Sequence, residues 1–275
     1  MEMRQIDWNR LWMDARTERT RKWDGKSFWN KRAPSFAKHA TESGYAKDFL
    51  EIMGPEPHWT VLDVGCAAGT LAVPLSRKVQ GITAMDISDV MLEMLDDRCR
   101  KQGIGNIRTI KGGWEDDWDS LGVGTHDVAI ASRSLIVNDL RTAMAKLNNA
   151  ARERVILSSM VGDGPFDRRI YEAVGRDLNR GPDYIYVYNL LHQMGIYAHL
   201  TFVKLPDDKT YTDHEACLNS LRWMLEDMTA EEEERLRLYL HDNLVERRGR
   251  WEMSYKKVVR WAVIWWDKKS DTRAV

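Results

Sequence analysis

The sequence has few of the features that mark specialised classes of protein. Its 275 residues include three cysteines, at positions 66, 99 and 217, and no C-x-x-C pair. This spacing argues against both a zinc cluster and a disulfide framework. No apolar run approaches the ~20 residues of a membrane span, and the first residues lack the basic-then-apolar pattern of a secretion signal. We therefore expect a cytoplasmic protein with no metal site and no membrane contact.

An excess of charge of either sign is also missing. Lysine and arginine total 41 and the acidic residues 42, which gives a net charge of −1. No long basic stripe is present, so the sequence does not predict a nucleic-acid partner. The length is sufficient for one large domain with attachments. Tryptophan is abundant, with 12 residues, and many of them lie outside the predicted strands.

The middle of the chain alternates short apolar runs with helix-like segments. We predict strands over residues 60–64, 82–85, 107–110, 127–131 and 155–160, and helices over 70–79, 89–102 and 139–151. Repeated βα units of this length predict a doubly wound, mainly parallel sheet with helices on both faces. After residue 160 we predict helices over 165–179 and 189–196, a strand over 198–205, a charged helical section over 213–247 and a last strand over 258–266. The expected sheet therefore has seven strands.

This pattern predicts that the chain is divided into four parts. Residues 1–53 form a predicted amphipathic helical cap, which ends at a Gly-Pro-Glu-Pro segment. Residues 54–165 form the predicted α/β core. Residues 166–257 form helical additions with one strand on the substrate side, and residues 258–275 carry the strand that completes the core sheet.

The most informative segment joins the first predicted strand to the first helix. An apolar run reaches Asp63 and is followed by small residues at every second position, Gly65, Ala67 and Gly69. Such a turn lets a ligand approach the backbone at the end of a buried parallel strand. A second acid, Asp86, ends the next strand. The dinucleotide pattern G-x-G-x-x-G would place two of its three glycines on Ala67 and Thr70, so this pattern fails.

The D-x-G-x-A-x-G pattern resembles motif I of the class I S-adenosylmethionine-dependent methyltransferases, in which the middle small residue is usually glycine. The resemblance covers approximately residues 26 to 161. It implies that Asp63 orients the methionine amino group, that the loop backbone faces the ligand, and that Asp86, followed by Ile87, binds the ribose hydroxyls. The alternative is that Asp86 has a purely structural role as a helix N-cap, although Ser88 or Asp89 can cap the helix instead.

The same resemblance implies roles for residues around this loop. Trp114 and Glu115 would contact the adenine, Ser132 and Arg133 would lie beneath the reactive methyl group, and the aromatic-basic stretch with Trp29 and Arg32 would form a flap over the cofactor. Trp114 as a packing residue and Arg133 as a structural residue remain open alternatives.

The acceptor is less well specified than the cofactor. The predicted fourth strand is followed by Ser-Arg-Ser at residues 132–134 rather than by [DNS]-P-P-[YFW], which argues against methylation of amino groups of adenine, cytosine or glutamine. A small molecule is the default acceptor, and the tryptophans favour an aromatic or planar one. In the segment 184–199, which alternates tyrosines with apolar residues like a strand, His192 is the best candidate for a general base. Its alternative is a structural histidine.

We therefore predict transfer of a methyl group from S-adenosylmethionine to a small molecule, with S-adenosylhomocysteine as product. One alternative is a partner or regulatory protein that binds the cofactor without catalysis. A nicotinamide-dependent oxidoreductase is disfavoured, because both the glycine fingerprint and a Tyr-x-x-x-Lys pair are missing. The assembly state stays open, and a homodimer is one option.

Overall fold

The computed structural model describes residues 6–18, 25–33 and 44–268. Its strands are β1 (Thr60–Val64), β2 (Gly81–Asp86), β3 (Ile107–Lys111), β4 (His126–Ser132), β5 (Ala151–Met160), β6 (His199–Pro206), β7 (Leu244–Arg247), β8 (Arg250–Met253) and β9 (Val258–Asp267). Within the described residues, seven of them form one sheet in the order β3-β2-β1-β4-β5-β9-β6, and β7 and β8 form a separate hairpin. The first five strands of the sheet are parallel, and β9 runs antiparallel to both β5 and β6.

Helices cover both faces of the sheet. The helices of the described residues are α1 (Trp8–Thr17), α2 (residues 26–33), α3 (Tyr45–Met53), α4 (Ala72–Leu75), α5 (Asp89–Gln102), α6 (Leu140–Ala150), α7 (Arg168–Val174), α8 (Tyr184–Gln193), α9 (His214–Leu221) and α10 (Ala230–Asn243). Buried residues of α1, α6 and α8 pack on one face, and those of α3, α4 and α5 pack on the other. The central strands read as apolar runs because they are buried on both faces. The predicted fold class is confirmed.

A third core lies beyond the sheet. Buried side chains from α7, α9 and α10, among them Tyr171, Leu218 and Leu236, form a separate cluster against which the β7–β8 hairpin packs. We call α7, α9, α10 and this hairpin the roof. The chain enters the roof twice, from the carboxyl end of β5 and from the carboxyl end of β6. It returns to the sheet at the first residue of β9, and because β9 is antiparallel to both strands, this residue lies at their carboxyl edge. The roof therefore stands over the carboxyl edge of the parallel strands, where ligands bind in open α/β sheets.

Three local predictions were wrong. The helix predicted over 189–196 begins at residue 184, so residues 184–188 are helical rather than strand-like, because Asp183 caps the helix and Val187, Leu190 and Leu191 bury one helical face. The charged section 213–247 is interrupted: two helices and a strand replace the continuous helical section. The helix predicted over 70–79 contracts to the single turn of α4, where Pro74 falls early enough to be tolerated.

Parts of the predicted terminal segments are not covered by the structure. Residues 1–5, 19–24 and 34–43 of the predicted cap, and residues 269–275 after the last strand, lie outside the described residues. No helix of the described part is both long and apolar enough to cross a membrane.

Candidate active site

The loop between β1 and α4 adopts an unusual backbone conformation. Gly65, Ala67 and Gly69 have φ values of +73°, +49° and +79°, so every second residue is left-handed. The amide groups of Gly65 and Cys66 both donate to the carbonyl oxygen of Met85, on β2. Ala67 is a non-glycine residue in this region, and such strain persists where the surroundings hold it in place. The loop is therefore built in a fixed shape at the carboxyl end of β1.

The two glycines of the loop leave no room for a side chain. A Cβ at Gly65 would lie 2.4 Å from the Cβ of Ser134, and a Cβ at Gly69 would lie 2.5 Å from a methyl group of Leu95. Ser134 is held there by its hydroxyl, which donates to the carbonyl oxygen of Val64 at 2.6 Å. The small residues thus allow the loop after β4 and helix α5 to approach the turn closely.

Asp86 supports the strained loop from the end of β2. Its Oδ2 accepts a hydrogen bond from the Ala67 amide at 2.9 Å, and its Oδ1 accepts one from the Ser88 amide at 2.9 Å. The side chain is buried, and burial raises the pKa of its carboxyl group while these amides lower it. Ser88, whose hydroxyl accepts from the Met91 amide, is the N-cap of α5. Asp86 is therefore not needed as the cap, and each carboxylate oxygen has a further lone pair available to a ligand hydroxyl.

Asp63, at the end of β1, has a more apolar environment than Asp86. The side chain is 2% exposed, and its Oδ2 has no hydrogen-bond partner among the described residues. Burial, together with the nearby charge of Asp86, raises the pKa of Asp63 to about 7. An unpaired buried carboxylate is unfavourable, and a cationic group placed against it would relieve this penalty. Asp63 thus fits the ammonium group of an amino-acid ligand.

This pKa predicts a pH-dependent affinity for S-adenosylhomocysteine. Protonated Asp63 offers the ligand ammonium no charge, so the apparent affinity follows the ionised fraction of Asp63. With a pKa of about 7, the affinity is expected to fall by about eightfold from pH 7.5 to pH 6. Calorimetric titrations at the two pH values test this. Asp63→Asn should bind more weakly at both and lose the dependence; a flat profile in the unmodified protein would contradict the assignment.

The residues predicted around adenine divide into two groups. Ile87 packs against the next loop, where a Cβ at Gly113 would lie 2.4 Å from its Cγ2. Trp114 lies beside this contact, and its indole nitrogen donates to the carbonyl oxygen of Ser134 at 2.8 Å. Glu115 is exposed, and its carboxylate accepts from the Asn138 amide at 3.4 Å. Ile87 and Trp114 therefore line the carboxyl edge beside β2 and β3, whereas Glu115 faces solvent.

A buried tyrosine organises the end of β4. The Tyr45 hydroxyl, on α3, lies 2.8 Å from the Ser132 hydroxyl and 2.6 Å from that of Ser158. The Ser158 hydroxyl also accepts from the Arg133 amide, and the Arg133 guanidinium stacks on the Tyr45 ring at 4.0 Å. Arg133 has a φ of +56°, so this network holds a strained residue. The structure joins Ser132 and Arg133 to the same edge as the glycine loop.

Removing this hydroxyl should weaken the fold measurably. Tyr45→Phe is expected to lower the free energy of unfolding by about 1–2 kcal/mol, because two buried hydrogen bonds are lost and each contributes on the order of 1 kcal/mol. Urea denaturation measures the change. Tyr197→Phe is the matched control, since Tyr197 is 72% exposed. Equal stability of the two variants would show that the network is energetically neutral.

Helix α2 lies across the glycine loop. Trp29 packs against a small buried cluster of Ala33, Ala68 and Met91, and the Asn30 side-chain oxygen accepts from the Ser88 hydroxyl at 2.6 Å. Three residues after Trp29, the Arg32 guanidinium lies 4.1 Å from the centre of the ring of Trp223, which joins α9 to α10 and packs against the roof. Trp29 thus lies against the glycine loop at Ala68, whereas Arg32 is directed toward the roof.

The structure does not bring His192 to this edge. The residue is exposed in the last turn of α8, and its ring contacts Tyr197, which is itself exposed. The chain then enters β6, the outermost strand of the sheet, at His199, and β4, β5 and β9 separate β6 from β1, which carries Asp63. His192 is therefore an exposed residue seven positions before the outermost strand, and a role as general base has no geometric support.

Sequence reasoning missed three residues that shape the site. Asn30 anchors α2 to the cap of α5, Ser134 fills the space above Gly65, and Tyr45 supports the loop after β4. Tyr45 carried a usable signal. It shares a helical face with Phe49, and a buried tyrosine hydroxyl normally requires a partner.

The arrangement fits S-adenosylmethionine. Asp63 presents an unpartnered buried carboxylate to an ammonium group, Asp86 presents acceptors to ribose hydroxyls, and the left-handed loop between them leaves the main chain accessible. When bound, this cofactor supplies a methyl group activated by the sulfonium. Among the described residues, no group of three or more His, Cys, Asp or Glu side chains is placed to bind a metal ion.

Comparison with known proteins agrees with this geometry. Residues 61–154 match the family model described as a methyltransferase domain. An uncharacterized protein of Haemophilus influenzae is 33% identical over 242 residues, which cover 87% of this chain and 88% of that protein.

Solved structures establish the same fold. The YcgJ protein of Bacillus subtilis has a TM-score of 0.54 at 16% identity, with 84% of this chain and 98% of that chain covered. A proposed methyltransferase of Bacillus halodurans has a TM-score of 0.56 at 13% identity, with 81% and 98% covered. The matched domain contains the D-x-G-x-A-x-G loop and both buried acids. The chain thus belongs to the class I S-adenosylmethionine-dependent methyltransferases and is an enzyme that uses this cofactor.

Proposed function

We propose that the enzyme transfers the methyl group to a small molecule. The observation that carries this proposal is the roof, whose separate core stands over the carboxyl edge where the cofactor loop lies. A polymer acceptor requires an open surface, and a nucleic acid also requires excess positive charge. This chain instead has a net charge of −1.

The chain's own residues would align the reactants and exclude water. Methyl transfer is an in-line displacement, so correct placement of the acceptor supplies much of the rate enhancement. Helix α2 contacts the glycine loop through Trp29 and the roof through Arg32. It therefore joins the two parts that must enclose the reacting groups. The Tyr45 network fixes the backbone at Ser132 and Arg133 beside them.

A labelling experiment tests the size of the acceptor. The enzyme is incubated with methyl-labelled S-adenosylmethionine and an extract of Haemophilus influenzae, which encodes the 33% identical relative. The products are then separated by ultrafiltration into small molecules and macromolecules. We expect more label in the small-molecule fraction than the extract alone produces, and little of this increase when Asp86→Ala replaces the enzyme. Enzyme-dependent label in protein or RNA would refute the proposal.

A further inference from the structure

Helix α1 reaches the edge of the sheet where the glycine loop lies. The Trp12 indole nitrogen donates to the carbonyl oxygen of Val137 at 2.9 Å, in the loop that follows the carboxyl end of β4. At the end of the helix, the Glu18 carbonyl oxygen accepts from the Asn179 side chain at 3.0 Å, just after α7 of the roof. The last turn of α1, which contains Arg16, therefore lies between the loop after β4 and the roof.

The backbone after β4 connects this turn to the glycine loop. Val137 lies three residues after Ser134, a span of at most about 11 Å. The chain folds back between them, because the Ile136 amide donates to the Ser134 carbonyl oxygen at 2.7 Å. Ser134 itself closes over the first glycine of the loop. Residues four apart share a helical face, and long side chains lean toward the helix N-terminus. The Arg16 side chain is thus directed back along the face of Trp12, toward the loop after β4.

A second connection runs through the loop after β3. Glu115 lies close enough to Arg16 for its charge to affect the guanidinium, without forming an ion pair. The preceding residue, Trp114, donates from its indole nitrogen to the carbonyl oxygen of Ser134 at 2.8 Å. Arg16 therefore lies between two loops that both meet at Ser134. A molecule bound to the guanidinium would extend toward the glycine loop across that residue.

Arg16 is a half-buried cation. Its Nε is buried with no hydrogen-bond partner, and within the described residues no carboxylate forms an ion pair with the guanidinium. Arg10 of the same helix, in contrast, donates to Asp14 at 3.1 Å. Burial lowers the pKa of Arg16, and an anion bound to the terminal nitrogens would offset that penalty.

The charges around Arg16 favour a carboxylate over a phosphate as this anion. Arg16 supplies one positive charge, whereas a phosphate monoester carries about −1.5 to −2 at neutral pH. The nearby Glu115 is exposed and repels an anion more strongly as the charge of the anion increases. The terminal nitrogens of a guanidinium also match the two oxygens of a carboxylate in geometry.

We propose that Arg16 binds a carboxylate group of the methyl acceptor. The guanidinium holds this carboxylate at the end of α1, and the atom that receives the methyl group lies at the other end of the acceptor, toward Ser134 and the glycine loop. The assignment rests on the proposed small-molecule function, and it specifies the acceptor as a carboxylic acid methylated elsewhere than on that carboxylate. Arg16 is then a residue that selects acceptors by charge.

Ligand binding measures the contribution of the Arg16 charge. Fluorine NMR titrations of the full chain, saturated with S-adenosylhomocysteine, compare para-fluorobenzoate with the neutral para-fluorobenzamide, which has nearly the same shape. We expect the benzoate to bind more tightly. Arg16→Met should weaken the benzoate by about tenfold or more, as expected for loss of a charged hydrogen bond, and leave the benzamide unchanged. Arg16→Lys, which keeps the charge, should lose less.

Two further variants serve as controls for these titrations. Arg10→Met replaces an exposed arginine of the same helix and should bind the benzoate as the unmodified protein does. Glu115→Gln should not weaken the benzoate, because it removes a repelling charge. The affinity for S-adenosylhomocysteine, measured by calorimetry, should be unchanged in Arg16→Met, which shows that the variant is folded.

The labelled product tests the class of the acceptor directly. In the extract experiment, enzyme-dependent label in small molecules should be retained by a strong anion exchanger at pH 7. It should be released at pH 2, where a carboxylate is protonated. A phosphate ester would stay charged and retained at pH 2.

Four results would overturn the assignment. They are benzoate binding no tighter than benzamide binding, equal benzoate binding by Arg16→Met and Arg10→Met, a loss in Glu115→Gln as large as in Arg16→Met, and small-molecule label that is not retained at pH 7 or not released at pH 2. Any of these results together with label in small molecules would refute the carboxylate contact alone. Label in macromolecules would refute the proposed function and the assignment that rests on it.

Discussion

Asp86→Ala is expected to weaken the binding of S-adenosylhomocysteine by on the order of 100-fold, or about 3 kcal/mol. We infer that the carboxylate accepts from both ribose hydroxyls, and hydrogen bonds to a charged group contribute about 1.5–3 kcal/mol each. It also holds the Ala67 amide at 2.9 Å, so its loss releases the strained turn that faces the cofactor. Isothermal titration calorimetry measures the affinity directly.

Asp97→Ala provides the control for this prediction. Asp97 lies on α5, which follows Asp86, but its side chain is 43% exposed and pairs with Lys101. We expect its replacement to leave the affinity unchanged. An affinity of Asp86→Ala within twofold of that control would show that the ribose is held elsewhere.

Gly65→Ala is expected to destabilise the fold by about 2–5 kcal/mol. The new Cβ would lie 2.4 Å from the Cβ of Ser134, and crowding of this kind costs about 1–3 kcal/mol. The residue also has a φ of +73°, and a left-handed alanine costs about 1–2 kcal/mol more. Urea denaturation of the cofactor-free protein reports the loss.

Gly103→Ala separates crowding from backbone strain. Gly103 ends α5 with a φ of +65°, and a Cβ there would meet no atom within 4 Å. Its replacement should cost only the strain component, about 1–2 kcal/mol. If Gly65→Ala were no more destabilising than Gly103→Ala, the close contact with Ser134 would have no energetic consequence.

The core sheet and cofactor loop could be predicted because their physical causes are local. Strands such as Thr60–Val64 are short apolar runs that end in turn residues, and their bounds in the structure differ by a few residues at most from the predicted ones. Asp63 and Asp86 come at strand ends, and parallel strands bring their carboxyl ends to one edge. Sequence order alone therefore placed the two acids together.

The other features of the site could not be predicted from the sequence, because they depend on three-dimensional contacts. In residues 184–188, tyrosines alternate with apolar residues and match a strand, but burial of Val187, Leu190 and Leu191 favours a helix. That helix leaves His192 exposed in its last turn, seven residues before the outermost strand β6. A five-residue alternation fits both structures, so periodicity could not decide between them.

The sequence by itself determined the α/β class, the order of the early strands and the small-residue loop with its two acids, since each depends on neighbours within a few positions. Only the tertiary structure decided that Ser134 closes over Gly65, that Tyr45 supports Arg133, and that Trp12 joins α1 to the loop after β4. These contacts join residues far apart in the chain. They depend on how helices and strands pack, which no local pattern of side chains encodes.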